Sequence, residues 1–265
     1  RPAEKKLIYQ LMILERDPLD RILGRLGEIN PDGIDINLAC HAPSIRRLDA
    51  GSRLFENLPV LSKILKEARR CWPGLLTAKI RLGSAGPAME TRFAERVRAI
   101  EDAGVDAIIL HPRYFEDKFK RRARHELYEW AASLTSLPII ANGDITSAAT
   151  IMVNPACFHH VKGVMLGRIV AVQPWAFAAW RQPVAIDHAG AWRRLYAYTC
   201  EDFRPEKAIC RIKIATEYYA RNFKFGHSFY VAIQNAATLD TLLEEAEKFF
   251  SQSPAIDPNP SLMGL

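Results

Sequence analysis

Two rhythms of apolar residues alternate along roughly the first two thirds of the chain. Short apolar runs at 7–12 (LIYQLM, with Gln10 inside), 33–38, 75–81 (LLTAKIR), 107–111 (AIILH), 138–142 (PIIAN) and 163–166 are bounded by turn residues. Their length and flanks predict buried strands. In 33–38, Ile34 and Ile36 point to one face and Asp35 and Asn37 to the other. Between the runs, apolar residues recur at three- and four-residue spacing, which predicts helices. Leu19, Ile22, Leu23 and Leu26 mark one after Asp17-Pro18, and Leu54, Leu58, Leu61, Ile64 and Leu65 mark another over 53–70. Further helices are expected over 89–103, 124–134 and 146–153.

Six strands alternating with helices predict a parallel α/β sheet. The strand spacing suits the units of a TIM (β/α)8-type barrel. A full barrel takes roughly 250 residues, and this pattern ends near residue 180. The barrel part is expected over 1–185, and either two strands come from elsewhere or the barrel is N-terminally truncated, with which Arg1 in place of Met agrees. Beyond residue 190 the strand signals stop. Stripes at Ala208, Ile212, Ala215, Tyr219 and at Leu239, Leu242, Leu243, Ala246, Phe249 predict a small helical domain over 190–251. The proline-bearing tail 252–265 is expected to be loose.

Five strand ends carry polar chemistry: Asn37 with Cys40, Lys79, His111, Asn142 with Asp144, and Gly167 with Arg168. Each has an ordinary reading alone: a buried thiol, a solvated lysine, a core histidine, an Asn-Gly turn, a helix cap. In a parallel barrel, however, strand ends converge on one rim. There a cation, an imidazole, an amide and a Gly-Arg pair suit an anionic, planar cofactor, with the Gly167 backbone and Arg168 at a phosphate.

Charge and cysteine usage narrow the classes. Hydrophobic content of 49% over 265 residues is enough for a sizeable core and argues against bulk disorder. The net charge of +6 permits an acidic partner. Five basic residues stand within 118–124, directly after the His111 strand end, and 193–224 carries eight Lys/Arg against four Asp/Glu. Such side chains bind phosphates without reading bases. The five cysteines show no metal or disulfide spacing, so reduced thiols in the cytoplasm and no metal are expected. No targeting segment or membrane-length apolar run is present in the sequence.

The stretches GIDINLACHAPSIRRLDAGSRL, TAKIRLG, IILHPR, PIIANGDI and GVMLGR, in this order, resemble the dihydrouridine synthases, flavin enzymes that reduce uridine in RNA. The resemblance covers roughly residues 7–250. It implies an FMN-containing barrel, a helical RNA-binding domain, NADPH as reductant and tRNA or another structured RNA as partner of a monomer. By motif match, Cys40 is the proton donor and Asn37 its substrate-orienting neighbour. Gln10, Lys79, His111, Asn142, Asp144, Gly167 and Arg168 are the FMN set. Arg211 and Lys213 of an Arg-Ile-Lys stretch face RNA by the same match, and the basic run gives Lys118, Lys120, Arg121 and Arg122, with Arg113, as further expected RNA contacts. Two departures stand out: Ala39-Cys40-His41 replaces the usual Gly-Cys-Pro, and His111-Pro112-Arg113-Tyr114 the usual His-Gly-Arg-Thr. The chemistry suits a thiol. Hydride from reduced flavin goes to uracil C6 and a proton to C5, and thiols with pKa near 8.5 are still protonated at neutral pH. Two other readings stay open: a flavin barrel reducing a small pyrimidine, and a truncated RNA-binding homologue without catalysis.

Overall fold

The computed structural model describes residues 5–117 and 120–262. Six strands form one parallel sheet: β1 (Ile8–Leu11), β2 (Gly33–Asn37), β3 (Leu75–Gly83), β4 (Ala107–Tyr114), β5 (Ile139–Asn142) and β6 (Val161–Met165). Their spatial order is their chain order. This is the singly wound arrangement of a barrel wall; a doubly wound sheet would reverse order at a switch point.

Helices follow the strands: α1 (Leu19–Ile29), α2 (Pro43–Arg46), α3 (Ser52–Glu56), α4 (Leu58–Cys71), α5 (Met89–Asp102), α6 (Leu127–Ser133) and α7 (Ala148–Val153). The single helix expected over 53–70 is two. Asn57, with non-helical torsions, separates them, and its side chain accepts from Val60 N at 3.4 Å. Pro59 fixes the break: without an N–H it fits the first turn of α4 and cannot sit inside a continuous helix.

Register assigns the two faces of the sheet. Gln10 lies opposite Asp35, Asp35 opposite Thr77, Asn37 opposite Lys79, and Arg81 opposite His111. Registered residues of parallel strands share a face, and side chains alternate along each strand. One face therefore carries Ile34, Ile36, Leu76, Ala78, Ile80, Ile108, Leu110, Ile139 and Ala141, all buried. The other carries Gln10, Asp35, Asn37, Thr77, Lys79, Arg81, His111 and Asn142. One side is apolar; the other is polar over β1–β3 and at the ends of β4 and β5, with Ile109 and Ile140 between those ends and the strand starts.

The described residues divide into two compact units, one up to Ile145 with Ala149–Met165, the other Thr146–Ala148 with the residues from Leu166 on. The second unit contains α8 (Arg168–Val172), α9 (His188–Asp202), α10 (Pro205–Tyr219), α11 (Gly226–Asn235) and α12 (Leu239–Ser251). Its core is Trp192, Ile212, Tyr219, Phe223, Phe229, Ile233 and Leu242, with Trp192 Nε1 donating to Thr216 Oγ1 at 2.9 Å. Asn222 Nδ2 donates to Val172 O at 2.6 Å, which ties α8, and with it the 166–185 stretch expected in the barrel, to these helices. The expected loose tail makes specific contacts: Lys224 N donates to Ala255 O at 2.9 Å and Asp257 N to Asn222 O at 2.7 Å.

Candidate active site

Cys40 sits in the loop after β2, and its backbone is clamped from both sides. Asn37 Oδ1 accepts from the amides of Ala39 and Cys40, each at 3.1 Å. The Cys40 carbonyl accepts from Ser52 N at 2.9 Å. Gly51 makes this second approach possible: its φ is +57°, and a Cβ there would lie 2.6 Å from the Cys40 oxygen. Gly51→Ala should therefore destabilise the first unit by roughly 1–3 kcal/mol, the usual cost of a strained backbone, and displace Cys40. A urea midpoint equal to that of the parent would show that the loop yields freely.

Asn37 is itself held by a chain of polar groups across the sheet. Its Nδ2 donates to Gln10 Oε1 at 3.0 Å, and Gln10 Nε2 donates to Asp35 Oδ2 at 2.6 Å. Thr77 Oγ1 donates to Asp35 Oδ1 at 2.7 Å. Asp35 is buried, which raises its pKa above the ordinary carboxylate range, while Gln10, Thr77 and nearby Lys79 pull it back.

Lys79 is half-buried, and its ammonium makes no hydrogen bond or ion pair among the described residues. Burial first and the Arg81 charge second, against the opposing pull of Asp35 and Cys40, bring its pKa down to about 8. Arg81, on the same face and 6% exposed, was not singled out in the sequence. The alternation that placed Lys79 on the polar face places residue 81 there too, so the signal was present. The lysine and arginine together make a cationic patch beside the thiol loop. Such a donor set fits an anionic group.

The third cluster lies at the ends of β4 and β5. Arg113 is 2% exposed. Its guanidinium meets His111 Nε2 at 2.7 Å, donates to both Asp144 oxygens at 2.8 and 2.6 Å, and donates to Arg121 O at 2.5 Å. Asp144 also accepts from Ala123 N at 2.8 Å. Gly143 has φ +111°, and a Cβ there would stand 2.6 Å from the His111 ring. Asn142 is buried and donates to Met165 O at 2.9 Å, while its carbonyl accepts from Tyr128 Oη at 2.9 Å.

Cys40, Asn37, Gln10 and Lys79 are thus brought together, and His111, Asp144 and Arg113 form an adjoining network. Gly167 and Arg168 belong to the second unit, where Gly167 caps α8 and Arg168 Nη1 donates to Leu262 O at 2.6 Å. Of the cations grouped as RNA-facing, Lys120, Arg121 and Arg122 are exposed, and Lys118 lies outside the described residues. Arg113 is interior. In the second unit Arg211 is exposed, its guanidinium 4.1 Å from the Phe203 ring centre. Lys213 is half-buried and donates to Gln234 O at 2.8 Å, near the end of α11.

A sequentially wound parallel sheet with its polar chemistry on one face and at the strand ends defines a protein of the (β/α)-barrel class. Within that class, residues 2–252 match the model of the dihydrouridine synthase family, and the chain belongs to that family. It is 32% identical over 161 residues to a probable tRNA-dihydrouridine synthase of Aquifex aeolicus, a match covering 58% of this chain and 48% of that protein. It is 30% identical to tRNA-dihydrouridine synthase B of Proteus vulgaris, covering 64% of this chain and 52% of the relative. A probable tRNA-dihydrouridine synthase of Helicobacter pylori is 24% identical over 83% of this chain and 67% of its own length. The chain thus spans about half the length of the first two relatives.

Proposed function

We propose that this chain carries the catalytic and RNA-gripping parts of a flavin-dependent reductase of uridine in tRNA, working in the cytoplasm with NADPH as reductant. The observation that carries the reading is the clamped Cys40 loop beside the half-buried Lys79 ammonium. Family membership and the names of the relatives supply the substrate class. Among the described residues no helix is long and apolar enough to cross a membrane.

Reduction of the uracil C5=C6 bond adds a hydride at C6 and a proton at C5; bound FMN supplies the first. Cys40 holds the second, and Asn37 fixes the loop that presents it. Lys79 and Arg81 would hold the flavin's negative charge. Gln10, His111, Asn142 and Asp144 make hydrogen bonds within the fold, so their part is to frame the flavin site and keep it rigid. Lys120, Arg121 and Arg122 in the first unit, and Arg211 in the second, would meet phosphates.

The test is anaerobic single turnover. Flavin-loaded, reduced protein should reoxidise on mixing with unmodified tRNA transcript and leave dihydrouridine in it. Free uridine should not substitute. Reoxidation by free uridine as readily as by RNA would favour a small-pyrimidine reductase. Tight RNA binding by a chain that retains no flavin would favour the non-catalytic homologue.

A further inference from the structure

The residue after Cys40 is tied down more firmly than a surface histidine. The His41 ring is stacked on Phe115, with ring centres 5.1 Å apart and planes 11° from parallel. Phe115 is fully buried and meets Phe55 edge-on at 6.2 Å. His41 Nδ1 lies 3.1 Å from Ser52 Oγ, and Arg46 Nη1 lies 3.4 Å from His41 Nε2. Ser52 is the residue whose amide holds the Cys40 carbonyl.

These contacts fix the state of the ring. A guanidinium only donates, so Nε2 accepts and the imidazole is neutral. The proton then stands on Nδ1, which donates to Ser52 Oγ. Both ring nitrogens are occupied, so His41 neither takes a proton from the thiol nor gives one to it. Its influence on Cys40 runs through Ser52 and the backbone.

We propose that His41 is the positioning residue of the Cys40 loop, a neutral latch joining that loop to Ser52, Arg46 and Phe115. The latch is built for one protonation state. A second ring proton would turn Nε2 into a donor aimed at the donor Arg46. The surroundings disfavour it: burial first, then the Arg46 and Arg81 charges, against a weaker pull from Glu116 and Glu56. Together they hold His41 below the ordinary histidine range. Because the folded loop binds that proton less well than the unfolded chain, the latch is intact above the ordinary range of histidine. It loosens as pH falls below that range.

The catalytic meaning of the latch rests on Cys40 being the proton donor, but its test does not. Hydrogen exchange read by mass spectrometry on peptides spanning 39–41, corrected for intrinsic rates between about pH 5 and 8, reports the loop directly. In the parent, protection should fall about two- to tenfold towards acid, the worth of about one hydrogen bond. His41→Phe keeps an aromatic face for Phe115 and loses both polar contacts, so protection should be low at every pH. His41→Gln keeps polar capacity without titrating, so its protection should be flat with pH. Circular dichroism checks that each variant is folded. Equal, pH-independent protection in parent and His41→Phe would overturn the latch. A latch that behaves as expected in a protein that never reduces RNA would leave this inference standing and remove the functional reading instead.

Discussion

Cys40→Ala should abolish reduction of RNA uridine while leaving flavin binding and flavin reduction by NADPH intact. The thiol takes part in neither of those two steps. Without it, protonation of C5 has no donor, and general acid catalysis typically contributes about 10²–10⁴-fold. The loss in single-turnover oxidation by unmodified tRNA should be at least that large. The structure supplies the reason to expect specificity for this one thiol. Asn37 Oδ1 accepts from the amide of Cys40 and Ser52 N donates to its carbonyl, so the side chain is presented from a backbone pinned at both ends. Cys71 lies against Glu67, and Cys157 accepts from Asn154 at 3.0 Å; neither stands at a strand end. Cys200 and Cys210 lie in α9 and α10 of the second unit. Serine at any of these four should leave turnover nearly intact. A Cys40→Ala enzyme reoxidising at the parent rate would return Cys40 to the role of a half-buried structural thiol.

The strands were legible because their physics is local. Alternation of Ile34, Ile36 against Asp35, Asn37 sets two faces whatever the neighbours are, and the strand bounds differ from expectation by only a few residues. α10 and α12 were legible for the same reason, since their stripes face a shared aromatic core. The break at Asn57 is masked in the 53–70 stretch because the apolar stripe runs straight through Pro59, whose missing N–H imposes it. The fate of individual charges was not legible. Nothing local to Arg113 says that it will meet an aspartate thirty-one residues on, nor to Lys213 that a carbonyl twenty-one residues on will take its ammonium. His41 likewise owes its state to Ser52, Arg46 and Phe115, brought together only by the packing of α2, α3 and the end of β4. Cations in a basic stretch look alike in sequence; burial sorts them.

Substitutions at Arg113 and Asp144 should cost the first unit several kcal/mol of stability. The Arg113 side chain is 3% exposed, and its charge is balanced by the Asp144 carboxylate, which is 29% exposed. Asp144→Ala removes the carboxylate that takes two hydrogen bonds from the buried guanidinium and leaves that guanidinium facing His111 Nε2. Breaking one side of a buried pair costs about 3–5 kcal/mol. Solvent reaching Asp144 screens part of the attraction, so the lower end is expected. At about 2–4 °C per kcal/mol for a domain of this size, that corresponds to a fall of roughly 6–12 °C in Tm. Arg113→Met should cost less. It removes the buried charge together with its desolvation and leaves a carboxylate that water can reach and that still accepts from Ala123 N. The order of the two variants separates the interior role from a direct RNA contact. If Arg113 only met phosphates, Arg113→Met would melt like the parent and bind RNA more weakly, and Asp144→Ala would leave Tm unchanged. The network predicts the reverse: Asp144→Ala melts lowest, Arg113→Met falls between it and the parent, and RNA affinity measured well below either transition stays close to that of the parent.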